Sequence, residues 1–192
     1  MPNRLRVLEL FCGIGGCAAA LGGRAQIVAA VDINPLALSA HRRNFASPPV
    51  HVRTIESLPP KWYRDLAADL WWLSPPCQPY TSRGRQLDLR DDRAQGLLAV
   101  IERIAELRPA YVGLENVEGF RDSQSHQRLR GMLDACGYRV HEQVLCPTQL
   151  GIPNRRPRFY LVAAKAGILH DRNDPSLSED SGPKPWRFTV RQ

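Results

Sequence analysis

Short apolar runs alternate with stretches of helical periodicity along most of the chain. Arg6 to Leu10 reads as a strand that ends at the glycine turn Gly13-Ile14-Gly15-Gly16, and Cys17 to Leu21 then predicts a helix. Gln26 to Val31 predicts a second strand. A helix from Pro35 to about Asn44 follows, since proline at the first helical position removes an N–H that would be unpaired anyway. Val50 to Arg53 reads as a short third strand. Asp69 to Leu73 reads as a fourth, running into Ser74-Pro75-Pro76-Cys77. The stretch Gln78 to Arg90 is too rich in Arg, Gly and Gln for a core and predicts a mobile loop. Within Asp92 to Leu107, the residues Leu97, Leu98, Ile101, Ile104 and Ala105 recur at helical spacing. Tyr111 to Leu114 predicts a fifth strand ending at Glu115-Asn116. Ser125 to Cys136 predicts a helix stopped by Gly137. Arg139 to Leu145 and Arg158 to Ala164 read as an antiparallel strand pair.

Strands alternating with helices argue for an α/β fold, a doubly wound and mostly parallel sheet with an antiparallel C-terminal strand pair. A chain of 192 residues suffices for one domain with a real core, placed at residues 1–165. Residues 166–192 hold Asp171, Asp174, Pro175, Ser176, Asp180, Pro183 and Pro185, and read as a polar tail or the start of a further region.

Composition narrows the class. No apolar run approaches the roughly 18 residues a membrane span needs. The apolar run after Met1-Pro2-Asn3-Arg4 is broken by Glu9 and glycines, unlike a signal peptide. The expectation is a cytoplasmic protein with no membrane partner, nucleoid-associated if bacterial. The net charge of +7 comes almost wholly from Arg, whose planar fork suits phosphate, but charge alone leaves a merely solvated basic surface open. The five cysteines are odd in number and lack C-x-x-C spacing, so no metal site is expected. Four of them read as reduced, mostly core thiols; Cys77 stands apart.

Five segments carry candidate chemistry. Phe11-Cys12-Gly13-Ile14-Gly15-Gly16 lies between a strand and a helix, where glycines let backbone approach a ligand. A tight turn without a ligand reads the same way. Asp32, at the end of the second strand, suits the two hydroxyls of a ribose, so the pair favours a nucleoside cofactor without saying which. Cys77 follows the fourth strand between Pro76 and Pro79, and prolines there would hold a thiol in place; the alternative is a packed structural cysteine. Glu115 ends the fifth strand on the same sheet edge, and a thiol beside a carboxylic acid is a workable pair for covalent catalysis. Helix capping by Glu115 or Asn116 is the alternative. Arg156 and Arg158, two apart, would point the same way on extended chain, or form a solvated basic loop.

Taken together, these segments resemble the cytosine-5 methyltransferase family in order and spacing over about residues 5 to 164. Phe11 to Gly16 looks like its cofactor loop and Asp32-Ile33-Asn34 like its ribose-binding turn. Pro76-Cys77-Gln78 is similar to its nucleophile motif and Glu115-Asn116-Val117 to its glutamate motif. Asn154-x-Arg156-x-Arg158 looks like its Gln-x-Arg-x-Arg motif with Asn in place of Gln.

The resemblance implies a Rossmann-like domain that binds S-adenosylmethionine and releases S-adenosylhomocysteine. It implies that Cys77, Glu115, Arg156 and Arg158 are catalytic. Cys77 would add to carbon 6 of cytosine, Glu115 would hydrogen-bond or protonate nitrogen 3, and the two arginines would orient the base and lower the thiol pKa. Phe11, Gly13, Ile14, Gly15, Gly16, Asp32, Ile33, Ile55, Glu56 and Pro76 would hold the cofactor. Ser74, Gln78, Thr81, Arg83, Arg85, Asn116 and Asn154 would contact a substrate whose base has left its stack. The loop around Thr81 to Arg90 would close over that base.

The implied partner is nucleic acid. DNA is the first expectation, because DNA enzymes dominate the family by number, and tRNA is the alternative. Several features look like the tRNA-methylating branch: Ser74 to Asp88 with Arg83-Gly84-Arg85-Gln86, Pro147-Thr148-x-Leu150-Gly151-Ile152-Pro153, and Asn154 itself. Family members continue past the position of Ala164 with a target-recognition domain and a C-terminal helix. The expectation here is a chain without them, which leaves open a second polypeptide carrying recognition. A non-catalytic module on the same fold is the other reading, disfavoured by the intact chemical residues.

Overall fold

The computed structural model describes residues 4–45, 48–80 and 88–167. Seven strands form one sheet: β1 (Arg6–Leu10), β2 (Gln26–Asp32), β3 (Val50–Val52), β4 (Leu70–Leu73), β5 (Tyr111–Val117), β6 (Tyr138–Leu145) and β7 (Arg158–Lys165). Their order is β3-β2-β1-β4-β5-β7-β6. The first five are parallel, and β7 runs antiparallel to both β5 and β6. The helices are α1 (Gly16–Leu21), α2 (Pro35–Asn44), α3 (Pro60–Leu66), α4 (Gln95–Leu107) and α5 (Gln124–Ala135).

The central strands do not alternate buried with exposed positions because both faces are covered: Val7, Leu8 and Leu10 of β1 are wholly buried, and Glu9 between them is buried too. The larger core joins the sheet to α3, α4 and α5 through Leu8, Leu73, Tyr63, Leu97, Ile104, Leu114, Leu129 and Leu133. In α4, Leu97, Val100, Ile101 and Ile104 are buried at the spacing of one helical face. A smaller cluster, Cys12, Ala30 and Leu38, lies under α2. Truncating one of these buried leucines to alanine costs about 2–5 kcal/mol.

The strand order reverses at β1, which has β2 on one side and β4 on the other. Ligands in such sheets bind at the carboxyl ends of the strands flanking this point. The turns after β1 and β4 open there.

Several elements depart from the sequence expectation. The fifth strand runs on through Glu115 and Asn116 to Val117, because pairing with β7 continues to Val117↔Arg158. Helix α3 was not expected; its seven residues are too few to show periodicity, and its proline, Pro60, sits at the first helical position. Part of the expected loop is ordered core, since Pro79 and Tyr80 are buried in a 3-10 turn, Gln78–Tyr80, and a second such turn spans Asp88–Arg90. Of the four cysteines read as core thiols, only Cys12 is buried, while Cys17, Cys136 and Cys146 are half-buried near element ends. Strand β7 ends at Lys165, and residues 168–192 lie outside the described residues. Among the described residues no helix is long and apolar enough to cross a membrane.

Candidate active site

The turn after β1 is shaped by backbone. Phe11, Gly13 and Gly15 all take left-handed φ values, of +56°, +52° and +93°. For Phe11 this is a strained conformation, and it accompanies a ring at the wall of a cavity of about 760 Å³. Asp32 fixes the turn from β2: one carboxylate oxygen accepts the Gly13 N–H at 2.9 Å, the other the Asn34 N–H at 2.9 Å. A carboxylate accepts about four hydrogen bonds, so acceptor capacity remains for a ligand. Asn34 caps α2, accepting from the N–H groups of Leu36 and Ala37.

Beneath this turn lies a buried pair. Glu9 accepts the Cys17 N–H, and its other oxygen is 3.4 Å from His41 Nε2. Both side chains are essentially inaccessible, and His41 Nδ1 has no hydrogen-bond partner among the described residues. Burial pushes the Glu9 carboxyl above its usual range despite the attraction of His41. Burial, aided by the Glu9 charge, pushes the Cys17 thiol up to about 12 and Cys12 higher still, so neither is a nucleophile. Gly15 packs here: a Cβ would lie 2.4 Å from the Phe45 ring and 2.9 Å from the His41 ring.

The turn after β4 presents Cys77, half-buried, on the same cavity. Side chains hold it. Asn116 is buried in β5, and its Nδ2 donates to the Pro75 carbonyl at 3.1 Å while its Oδ1 accepts the Val117 N–H at 2.8 Å. The Tyr80 N–H donates to the Cys77 carbonyl at 3.0 Å. Ser74 accepts from Trp72 Nε1 at 3.1 Å.

Glu115 and Arg158 form an ion pair, with Arg158 Nε 3.1 Å from Glu115 Oε1. The register explains it. Val117 faces Arg158 across the antiparallel pair, and Glu115 lies two residues along the same sheet face, a diagonal neighbour. Asn116 between them faces the opposite way, towards Pro75.

The cavity thus brings together most of the residues singled out from the sequence. Phe11, Gly13, Asp32, Ile33, Ile55, Glu56, Ser74, Pro76, Cys77, Gln78, Glu115, Asn116, Arg156 and Arg158 all line it. Four do not. Ile14 and Gly16 are exposed on the turn, Gly15 faces His41 and Phe45, and Asn154 is exposed in the loop before β7. These three turn residues shape backbone rather than touch the cavity. Asn116 reaches it with its amide engaged with the backbone, where it braces the cysteine turn. Thr81, Arg83 and Arg85 lie outside the described residues.

Other lining residues escaped the sequence reading. Arg93 lies on the wall beside Cys77, gripped at two points by the buried Asp91 (2.8 and 2.7 Å). These hydrogen bonds hold Asp91 below the usual carboxylate range. Gly96, in the first turn of α4, leaves little room for a side chain, since a Cβ would be 3.0 Å from the Phe11 ring and 3.5 Å from Glu56 Oε1. A glycine inside an apolar helical pattern was the available signal.

Known proteins resemble this chain in sequence and in fold. Residues 5–184 match the C-5 cytosine-specific DNA methylase family. The chain is 40% identical over 164 residues to the human tRNA (cytosine(38)-C(5))-methyltransferase, covering 83% of this chain and 42% of that protein. It is 31% identical over 180 residues to a DNA (cytosine-5)-methyltransferase of Dictyostelium discoideum, covering 90% and 47%. The solved structure of S. pombe Dnmt2 methyltransferase superposes with a TM-score of 0.76 at 37% identity, over 88% of this chain and 53% of that one. The chain therefore spans about half the length of the relatives it matches.

Family members use S-adenosylmethionine as methyl donor. The residues present fit such a group. Phe11, Ile33 and Ile55 give apolar walls for a flat base, Asp32 keeps acceptors for ribose hydroxyls, and the missing Cβ of Gly96 leaves the Phe11 ring free. On the family match and this shared geometry, the chain belongs to the C-5 cytosine-specific DNA methylase family.

Proposed function

We propose that this chain carries the catalytic part of a methyltransferase that modifies carbon 5 of cytosine in tRNA. The observation that carries the reading is that Cys77, Glu115, Arg156 and Arg158 line one cavity with Phe11, Asp32 and Glu56. The sequence alone put DNA first. The tRNA reading is supported by the relatives, since the tRNA enzyme is 40% identical and the DNA enzyme 31%.

Cytosine carbon 5 is a weak nucleophile, so the ring must first be activated. The Cys77 sulfur adds to carbon 6, and Glu115 holds or delivers a proton at nitrogen 3. Carbon 5 then has enamine character. S-adenosylmethionine, when bound, supplies the electrophilic methyl group. Loss of the carbon-5 proton and departure of the Cys77 sulfur restore the aromatic ring. Arg158 keeps Glu115 oriented through their 3.1 Å contact, and Arg156 adds positive charge at the cavity.

The test is methyl transfer from labelled donor to tRNA and to duplex DNA, with and without extract of the source cells, because relatives carry further sequence. The reading expects label in cytosine of tRNA, at least about tenfold above DNA. Label in DNA alone would move the substrate class. No label in either, with extract present, would count against activity altogether.

A further inference from the structure

One buried hydroxyl ties the cysteine turn to a distant part of the chain. Ser125 lies in the first turn of α5 and is wholly buried. Its Oγ accepts a hydrogen bond from the Tyr80 phenol at 3.0 Å and donates one to Asp88 Oδ1 at 2.7 Å. Tyr80 closes the turn that carries Cys77, through its backbone bond to the Cys77 carbonyl. Asp88 belongs to the other 3-10 turn, eight residues further on.

Each member is held at several points. The Tyr80 ring meets Phe120 edge-on at 4.9 Å. Gly119 leaves space for the Tyr80 carbonyl, which a Cβ would approach to 2.7 Å. Asp88 sits at φ +49°, a costly conformation for a side chain with a Cβ. It is kept there by accepting from the N–H groups of Gln124 and Ser125 as well as from the Ser125 hydroxyl. Burial pushes the Tyr80 phenol up to about 12, so it remains a donor at neutral pH. The chain of bonds therefore runs one way, from phenol to hydroxyl to carboxylate, an arrangement in which each bond polarises the next.

Helix capping does not account for Ser125. That task belongs to Ser123, whose Oγ accepts the His126 N–H at 3.0 Å. A merely buried serine needs one partner; this one joins two segments.

We propose that Ser125 is a positioning residue for Cys77: it anchors the turn of residues 77–80 through the Tyr80 hydroxyl and the chain's return at Asp88 through the same oxygen. This rests on the reading of Cys77 as nucleophile. With the Asn116 brace on Pro75, the cysteine is then held from both sides.

The test uses the full chain carrying Tyr80→Phe, Ser125→Ala, both together, or Ser125→Thr. Three quantities are read: hydrogen exchange of a peptide spanning residues 74–80, the rate at which iodoacetamide alkylates Cys77, and kcat and KM for methyl transfer. Tyr80→Phe and Ser125→Ala should each speed exchange and alkylation several-fold. Each should lower kcat about tenfold with KM for the donor unchanged, the signature of a displaced reacting group. The double variant should match Ser125→Ala alone, since the Tyr80–Ser125 bond that Tyr80→Phe removes is already lost in Ser125→Ala. Ser125→Thr keeps the hydroxyl and should restore all three.

Should Ser125→Ala fail to fold, Tyr80→Phe keeps the ring and carries the test by itself. Unchanged exchange and alkylation, or effects that simply add, would overturn the proposal. If the unmutated chain transfers no methyl group, the catalytic reading fails, yet exchange and alkylation still judge the anchor.

Discussion

The two sides of the cavity hold their functional groups by different means. On the β1–β2 side the fixing is done by backbone: left-handed residues at Phe11, Gly13 and Gly15, and N–H groups aimed at the Asp32 carboxylate. On the β4–β5–β7 side it is done by side chains: Asn116 on Pro75, Arg158 on Glu115, and Tyr80 on Ser125. A surface built to bind a rigid nucleoside can use fixed backbone. A surface that must present a reactive thiol and a proton donor needs side chains whose chemistry is adjustable. Changes on one side should therefore alter binding and leave Cys77 reactivity intact, while changes on the other should do the reverse.

The largest effect should follow Glu115→Gln. The amide keeps the shape but cannot deliver a proton, and single-turnover methyl transfer should fall by about 10²–10³. Calorimetry with S-adenosylhomocysteine should give an affinity within about twofold of the unmutated chain; a large loss there would mean the two sides are not separable.

Asp32→Ala comes next. It removes charged hydrogen bonds worth about 1.5–3 kcal/mol each and frees the Gly13 turn, so S-adenosylhomocysteine should bind at least about tenfold more weakly. The alkylation rate of Cys77 should not move. Gly96→Ala should act on the same side more mildly. Crowding of Phe11 costs about 1 kcal/mol, read as roughly fivefold weaker binding.

The smallest effect concerns the support under the glycine turn. The Glu9 carboxyl is raised above its ordinary 4.5, so the folded chain keeps this proton to higher pH than the unfolded chain does. This group's contribution to stability is therefore full below pH 4.5 and is lost as pH rises through the raised value. Gln at this position still accepts the Cys17 N–H but does not titrate. The Tm of Glu9→Gln minus that of the parent should grow as pH rises from 4.5. A difference that shrinks instead would mean that attraction to His41 outweighs burial.

The sheet was legible in the sequence because its central strands are buried on both faces, so β2 and β4 read as apolar runs and β1 as one interrupted only by the buried Glu9. The chemistry-bearing turns were legible because they end those strands. Glu115 was placed after its strand rather than within it, since the pairing with β7 that prolongs β5 depends on a segment forty residues away. Arg93 and Ser125 could not be read as neighbours of the site. Their proximity is created by α4 and α5 packing on the sheet, and no local pattern encodes it. The glycine turn was half legible: its conformation follows from its residues, but that Gly15 faces His41 rather than a ligand follows only from the docking of α2.

The central claim is that the Cys77 sulfur attacks a cytosine held in this cavity. Incubating the chain with donor and a tRNA in which cytosine is replaced by 5-fluorocytosine tests it most directly, because the carbon-5 proton is then missing and the adduct cannot break down. The account predicts a denaturant-stable protein–RNA product whose cross-link maps to Cys77 and is absent from Cys77→Ser. A cross-link at another cysteine, or an equal yield from Cys77→Ser, would contradict it.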